Sequence, residues 1–232
     1  NWSNVFHIKP FILNIILGIR LIKKKESKED LINDKEILGQ KIQYLENTID
    51  EIQRNSLEVF NEHLAAMFYK LKLTANERIS FYKYQDEQFH IVGRYSINPD
   101  LNQRNRKYYP SNEGLISKAW QDGVFHLNTG VPEFVNGNKQ NYYTFIRGLS
   151  DIPIDTLRTM NMKSRSFYLR AFTDSRNIKR NSVIVIESLN SEELVFEAIN
   201  PVVTEEEQKL VSFIERLSWE MPSLKIANEK GF

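Results

Sequence analysis

Few side chains in this sequence could do chemistry, and two arginines come first. Arg165 and Arg170 fall within Ser164 to Thr173, a stretch that reads as a strand. Because side chains alternate along a strand, the two point to opposite faces. One of them therefore approaches any pocket the sheet carries. There a guanidinium either holds a carboxylate or phosphate bidentately or closes an internal salt bridge. The four histidines, His7, His63, His90 and His126, show no HxxxH or HExxH spacing. A metal or haem role would rest on His126 alone, and the plainer reading is a histidine satisfied by a local hydrogen bond. Glu205, Glu206 and Glu207 suit the positive end of a helix. Arg104 to Tyr109, RNRKYY, interleaves charge with aromatic rings and is either a phosphate or nucleic-acid contact or a solvated loop.

Composition removes several classes of function. The chain has 232 residues and no cysteine, which excludes disulfides, thiolate metal sites, cysteine nucleophiles and thioether-linked cofactors. It has only 9 glycines and neither a GxGxxG nor a GxxxxGKS/T pattern, so the usual nucleotide-cradling loop is missing. With 31 basic against 30 acidic residues the formal net charge is +1, and no global field recruits nucleic acid. No nucleophile-base pair and no cluster of metal ligands stands out. The expectation is a non-enzymatic protein with no cofactor, no metal site and no nucleic-acid partner, in the cytoplasm or at the inner face of a membrane.

The elements that would position these residues begin with a seam. Leu38, Ile42, Leu45, Ile49 and Ile52 step 4, 3, 4, 3 along a run without proline, the a/d period of a parallel coiled coil. The expected partner is a second copy of the chain. Leu31 lies one heptad earlier. Beyond Ile52 the phase slips, with Ser56 where an apolar residue is due, and a new stripe follows in Leu57, Phe60, Leu64, Phe68 and Leu71. Such a slip turns the apolar face around the helix, from a twin toward the chain's own domain. A single long amphipathic helix in a monomeric bundle is the alternative.

Upstream, Phe11 to Ile22 is almost wholly apolar and runs into Lys23, Lys24 and Lys25, while Lys9 and Pro10 cut it short of a full span. The readings are the last turns of a membrane helix, an interfacial helix on anionic lipid, or a helix buried against protein. Since the chain opens on Asn1 rather than methionine, it is read as a fragment or processed product. The expected organisation is a lead segment over 1–29, a coiled-coil stalk over 30–56 and a globular head over 57–225.

Within the head, Arg78 to Tyr84 and Phe89 to Ser96 alternate and predict a hairpin. Asn98 to Tyr109 reads as a polar loop, and Ser111 as the N-cap of a short helix that stops at Gly123. Val124 to Asn128 reads as a strand, Val131 to Gly137 as irregular, Tyr142 to Arg147 as helical, and Pro153 as opening a short helix through Met160. Ser182 to Leu189 carries Val183, Ile184, Val185 and Ile186 without a break, which belongs at the centre of a sheet. Thr204 and Glu207 have capping-box spacing before a stripe of Leu210, Phe213, Ile214, Leu217 and Met221. The fold class is α+β, an antiparallel central sheet flanked by N- and C-terminal helices, with a long N-terminal coiled-coil helix.

Three stretches resemble a GAF domain, the small-ligand sensor module related to PAS. SNEGLISKAWQDGVFHLN is similar to the segment in which a Gly-started helix ends at a second Gly and feeds a strand. SRSFYLRAFTDSRNIKRNSVIVIESLN resembles the paired strands at the sheet centre, and TEEEQKLVSFIERLSW the terminal helix. Together they reach over most of Leu57 to Leu224. Cyclic-nucleotide-binding GAF domains carry Asn-Lys after the central strand and Phe-x3-Asp-Glu at the last helix. Here Asn190 matches, but Ser191 replaces the lysine, Val203 the phenylalanine, Glu207 the aspartate and Gln208 the glutamate. The Lys to Asp pairing cannot form. Bilin-binding GAF domains and free methionine sulfoxide reductases need the cysteine this chain lacks.

The resemblance implies a sensory or regulatory module whose head binds a small molecule or partner and relays through the dimeric stalk to a membrane segment or effector. The alternative is a ligand-free dimerisation and docking module. It also implies that an insert over 134–160 closes a pocket on the sheet. The expected ligand is an anionic or planar metabolite. Arg170, Arg147, Tyr143 and Phe145 are the expected polar and stacking contacts.

Overall fold

The computed structural model describes residues 3–103, 106 and 108–220, without the side chains of 3–16, 19, 50, 52, 53, 56 and 218–220. The chain divides into two compact units, Asn1–Glu51 and Ile52–Phe232.

The first unit is helical and belongs to α1, Ser3–Lys70. Its seam residues Leu38, Ile42, Leu45 and Ile49 are 58, 56, 56 and 49 % exposed; the side chain of Ile52 lies outside the described residues. So do most side chains of the apolar run 11–22, of which Leu17, Leu21 and Ile22 are exposed. Among the described residues no helix is long and apolar enough to cross a membrane.

The second unit opens with the end of α1. There Leu57, Phe60, Leu64 and Phe68 are all buried, at the positions where the apolar stripe resumes after the phase slip. The helix stops at Lys70 with Lys72 in the left-handed region at φ 56°. Leu73 N–H bonds the Phe68 carbonyl and Lys72 N–H that of Tyr69, a Schellman closure that satisfies the last carbonyls.

The sheet comprises β1 (Glu77–Gln85), β2 (Gln88–Tyr95), β3 (Tyr108–Pro110), β4 (Val124–Leu127), β5 (Ser166–Thr173) and β6 (Arg180–Ser188). Its order is β3-β2-β1-β6-β5-β4, with every pairing antiparallel. β6 lies between β1 and β5, where its unbroken apolar run is buried on both faces. Between strands stand α2 (Pro99–Asn102), α3 (Gly114–Asp122), α4 (Lys139–Leu149) and α5 (Ile154–Thr159). The last helix is α6 (Phe196–Glu220). This is an α+β fold, an antiparallel sheet flanked by an N-terminal and a C-terminal helix.

Three elements differ from the sequence expectation. Ser111 does not cap α3, because Glu113 N–H closes a turn onto the Pro110 carbonyl and the helix starts only at Gly114, with Glu113 at its N-cap. The polar loop 98–109 holds α2, capped by the Asn98 side chain on Asp100 N–H, and the edge strand β3. The Thr204 capping box does not form, because α6 begins at Phe196 and Thr204 lies inside it, donating its hydroxyl to the Asn200 carbonyl. Burial of Ile199 and Val203 against the core extends the helix upstream, through Pro201.

One face of the sheet packs on α1 and α6. Ile79, Phe81, Tyr168, Phe172, Ile184 and Ile186 supply this core from the strands. The other face packs on α3, α4 and α5, through Tyr82, Phe167, Leu169, Val183 and Val185. A β-bulge in β2, where Phe81 pairs Gly93 but Tyr82 pairs Ile91, reverses the alternation. Val92 and Gly93 consequently both face the α1 side, while Ile91 and Arg94 both face the inserted helices.

Candidate functional site

The face under the inserted helices carries a partly open cavity of about 70 Å³. Its roof is built by helix periodicity: Tyr142 and Ile146, one turn apart on α4, point inward together, with Ile152 and Leu157 of α5 and its approach beside them. The floor is β1, β5 and β6, through Tyr82, Phe167 and Val185.

Into this apolar space the sheet places an ion pair. Arg78 and Glu187 are direct cross-strand partners of β1 and β6, and Glu187 Oε2 accepts from Arg78 Nε at 3.2 Å and Nη2 at 2.5 Å. Ser164 Oγ donates to Glu187 Oε1 at 3.1 Å, and Tyr142 Oη to the Ser164 carbonyl at 3.1 Å. Burial works against both charges, but their attraction outweighs it: Glu187 is held below the usual carboxylate range and Arg78 above its own. Burial likewise pushes the Tyr142 and Tyr109 phenols above their ordinary range.

Beside the cavity runs a groove of about 360 Å³ lined by Arg94, Arg106, Thr156 and Asn161. Arg78, Tyr109, Met160 and Met162 border both spaces. Arg106 is fixed by a two-point ion pair with Glu113, at 2.5 and 2.8 Å, and lies 4.5 Å from the centre of the Tyr109 ring. Arg104, Asn105 and Lys107 of the same loop lie outside the described residues.

Arg170 belongs to the opposite face. It points at α6, where Nη2 donates to Glu207 at 2.8 Å and Nη1 to Thr204 and Asn200. Arg165 lies just before β5, with its Nε 3.3 Å from the Val131 carbonyl. Tyr143, Phe145 and Arg147 alternate with the inward positions of α4 and do not line the cavity. Tyr143 meets Phe134 edge to face at 5.5 Å, Phe145 is half-buried and Arg147 is exposed. The insert thus roofs the cavity, but with other residues than those the sequence singles out.

His126 Nε2 lies 2.6 Å from the Leu194 carbonyl, and among the described residues no group of three His, Cys, Asp or Glu could hold a metal. The three glutamates are not at a helix start. Within α6, Glu205 and Glu206 meet Lys70, and Glu207 meets Arg170. Ser191 donates to the Asn128 carbonyl.

Sequence reasoning missed Arg78, Arg94 and Glu187. A signal was present: Glu187 follows Val183 and Val185 at strand period, on the same face of the most apolar strand. A charge there needs a buried partner.

No protein-family model and no curated protein matches the chain. Solved structures do. The GAF domain of an Acinetobacter phosphoenolpyruvate-protein phosphotransferase is similar at 12 % identity, over 75 % of this chain and 94 % of that one, with a TM-score of 0.48. A free methionine-R-sulfoxide reductase from Neisseria meningitidis in complex with its substrate is similar at 12 % identity, over 72 % and 84 %, with a TM-score of 0.46. The GAF domain of a two-component sensor histidine kinase from Bacillus halodurans is similar at 17 % identity, over 67 % and 93 %, with a TM-score of 0.41.

Proposed function

We propose that the protein is a non-enzymatic sensory module. Its GAF-like head takes a small molecule between the sheet and the inserted helices, and α1 relays the resulting bias as a parallel dimeric coiled coil to a membrane segment or effector. The observation that carries the ligand-binding part is the cavity itself, apolar on its walls and furnished with the Arg78, Glu187, Ser164 and Tyr142 network. An apolar enclosure with a few fixed polar groups is the usual form of a small-molecule site. The exposed seam of Leu38, Ile42, Leu45 and Ile49 supports the dimeric relay.

The small volume favours a second reading, a ligand-free docking module. A cavity of about 70 Å³ lies well below the ~300 Å³ at which pockets begin to enclose drug-sized ligands. A thermal-shift screen of nucleotides, amino acids and metabolites separates the two. A ligand at about 100 times its dissociation constant stabilises the fold by about 2.7 kcal/mol, a shift of several degrees. A screen without any shift would favour docking alone.

A further inference from the structure

Three guanidiniums surround the cavity and its groove, and two have carboxylates. Arg78 is matched by Glu187 and Arg106 by Glu113. Arg94, only 8 % exposed, is not: Nε donates to Ser80 Oγ at 3.0 Å, Nη1 to the Gln103 carbonyl at 2.7 Å and Nη2 to Tyr82 Oη at 3.1 Å. All three acceptors are neutral, and among the described residues no carboxylate lies within ion-pair distance of it. A guanidinium cannot shed its proton to escape this position. Glu187 feels its charge from a distance, but a buried charge without a direct ion-pair partner is costly to hold.

We propose that Arg94 anchors the carboxylate of an organic monoanion whose apolar end enters the cavity. This rests on the reading of the head as a ligand-binding domain. Arg94 stands where the two spaces meet, since its partner Tyr82 lines the cavity and its partner Gln103 lines the groove. It reaches that face because of the bulge in β2.

Of its five N–H donors three are engaged, so each terminal nitrogen keeps one N–H for a ligand oxygen. The charge count selects the class of ligand. Among the described residues, Arg78, Arg94 and Arg106 against Glu187 and Glu113 leave a single positive charge, which a monoanion balances and a phosphate dianion overshoots. The cavity limits the apolar end to a few carbons or a small ring, while the wider groove accepts the polar end.

The test is calorimetry on the full chain with butyrate, isovalerate, hexanoate, benzoate and phenylacetate, each beside its uncharged amide, and with inorganic phosphate. The expected result is that at least one acid binds, at least tenfold more tightly than its amide. Arg94→Gln should weaken that acid tenfold or more, while Arg170→Gln, on the opposite face, leaves it unchanged. Arg94→Lys keeps the charge and loses the planar fork, so it reports even where Arg94→Gln does not fold, again with a tenfold loss expected. Amides binding as tightly as acids would overturn the Arg94 assignment and leave the cavity as a neutral site. Phosphate binding more tightly than every acid would overturn the carboxylate class. If neither acids nor amides bind, this proposal falls, and the metabolite thermal-shift screen then decides the broader ligand-binding reading on its own.

Discussion

Arg78 and Glu187 face each other directly across the β1 and β6 ladder, with Nη2 and Oε2 2.5 Å apart, beneath helices that close the sheet from solvent. The pair ties the central strand pairing to the cavity. Glu187 also holds Ser164, whose carbonyl holds Tyr142 of the roof. A change at either charge therefore reaches the helix that covers the cavity.

Glu187→Leu should destabilise the head by about 3–5 kcal/mol, because it leaves Arg78 charged and buried without its partner. Ser164 Oγ loses its acceptor as well. The double variant Arg78→Met with Glu187→Leu should recover much of that loss, since a well-packed apolar pair of similar volume often replaces a buried ion pair at little cost. Urea denaturation of the two variants checks both statements. Equal stability of single and double variant would show that the pair is not the source of the effect.

Stability should fall on mild acidification, and His63 should be one cause. Burial lowers its pKa below the ordinary value of 6.5, outweighing the Glu206 carboxylate 3.3 Å away, while Lys209 adds to the lowering. Lys70 also faces this cluster through Glu206, and the ring of Phe213 packs edge-on against the imidazole. A histidine with a lowered folded pKa binds fewer protons folded than unfolded. Its contribution is full above the unfolded value and is lost as pH falls through the folded one. Glu206, also lowered, adds a second loss further down, below the carboxylate value of 4.5. Melting temperatures measured between about pH 7.5 and 5.5 should decline, and His63→Gln should flatten that decline. An identical slope in the variant would remove His63 from the account.

Gly93 is required by a close approach. A Cβ there would stand 2.9 Å from Phe60 Cβ and 2.9 Å from Leu64 Cδ1, with the Phe60 carbonyl carbon at 3.5 Å. The Leu64 side chain can rotate away, but Phe60 Cβ moves only with α1. Gly93→Ala should therefore cost about 1–3 kcal/mol by overpacking. Gly148→Ala, where nothing lies within 4 Å of the new carbon, is the control and should be neutral or slightly stabilising. Denaturant midpoints of the two variants test the contrast, and equal midpoints would show that α1 yields.

Helix and strand periodicity made the framework legible. The shift from the exposed seam at Leu38 to Ile49 to the buried stripe at Leu57 to Phe68 is written in apolar spacing, as is the central place of Val183 to Ile186. The site was harder to read, for reasons that lie outside local pattern. Alternation correctly sends Arg165 and Arg170 to opposite faces but cannot say which face carries helices α1 and α6. Arg94 is hidden further by the bulge at Val92 and Gly93, which reverses the parity of β2 and which the amino acids do not announce. The start of α6 at Phe196 is equally a tertiary effect, because burial of Ile199 and Val203 overrides the capping signal at Thr204. On α4, by contrast, the pair Tyr142 and Ile146 at helical spacing was available and marks the inward face better than the neighbouring Tyr143 and Phe145.

The seam of α1 provides the last prediction. Leu38, Ile42, Leu45 and Ile49 stand more than 48 % exposed in the described chain, in the a/d order of a parallel coiled coil. Such a stripe is covered when two copies pair, each apolar side chain entering a hole formed by the facing helix. Light scattering should therefore return twice the chain mass of 27.4 kDa. Replacing Ile42 and Ile49 by Asp places four carboxylates in the paired seam, where charge without a partner is strongly disfavoured. The variant should run at the single-chain mass. Its head should melt as before, because Leu57, Phe60, Leu64 and Phe68, which anchor α1 to the sheet, are untouched. An unchanged mass in the variant would exclude the seam as the dimer contact, and a single-chain mass in the unaltered protein would exclude the dimeric relay.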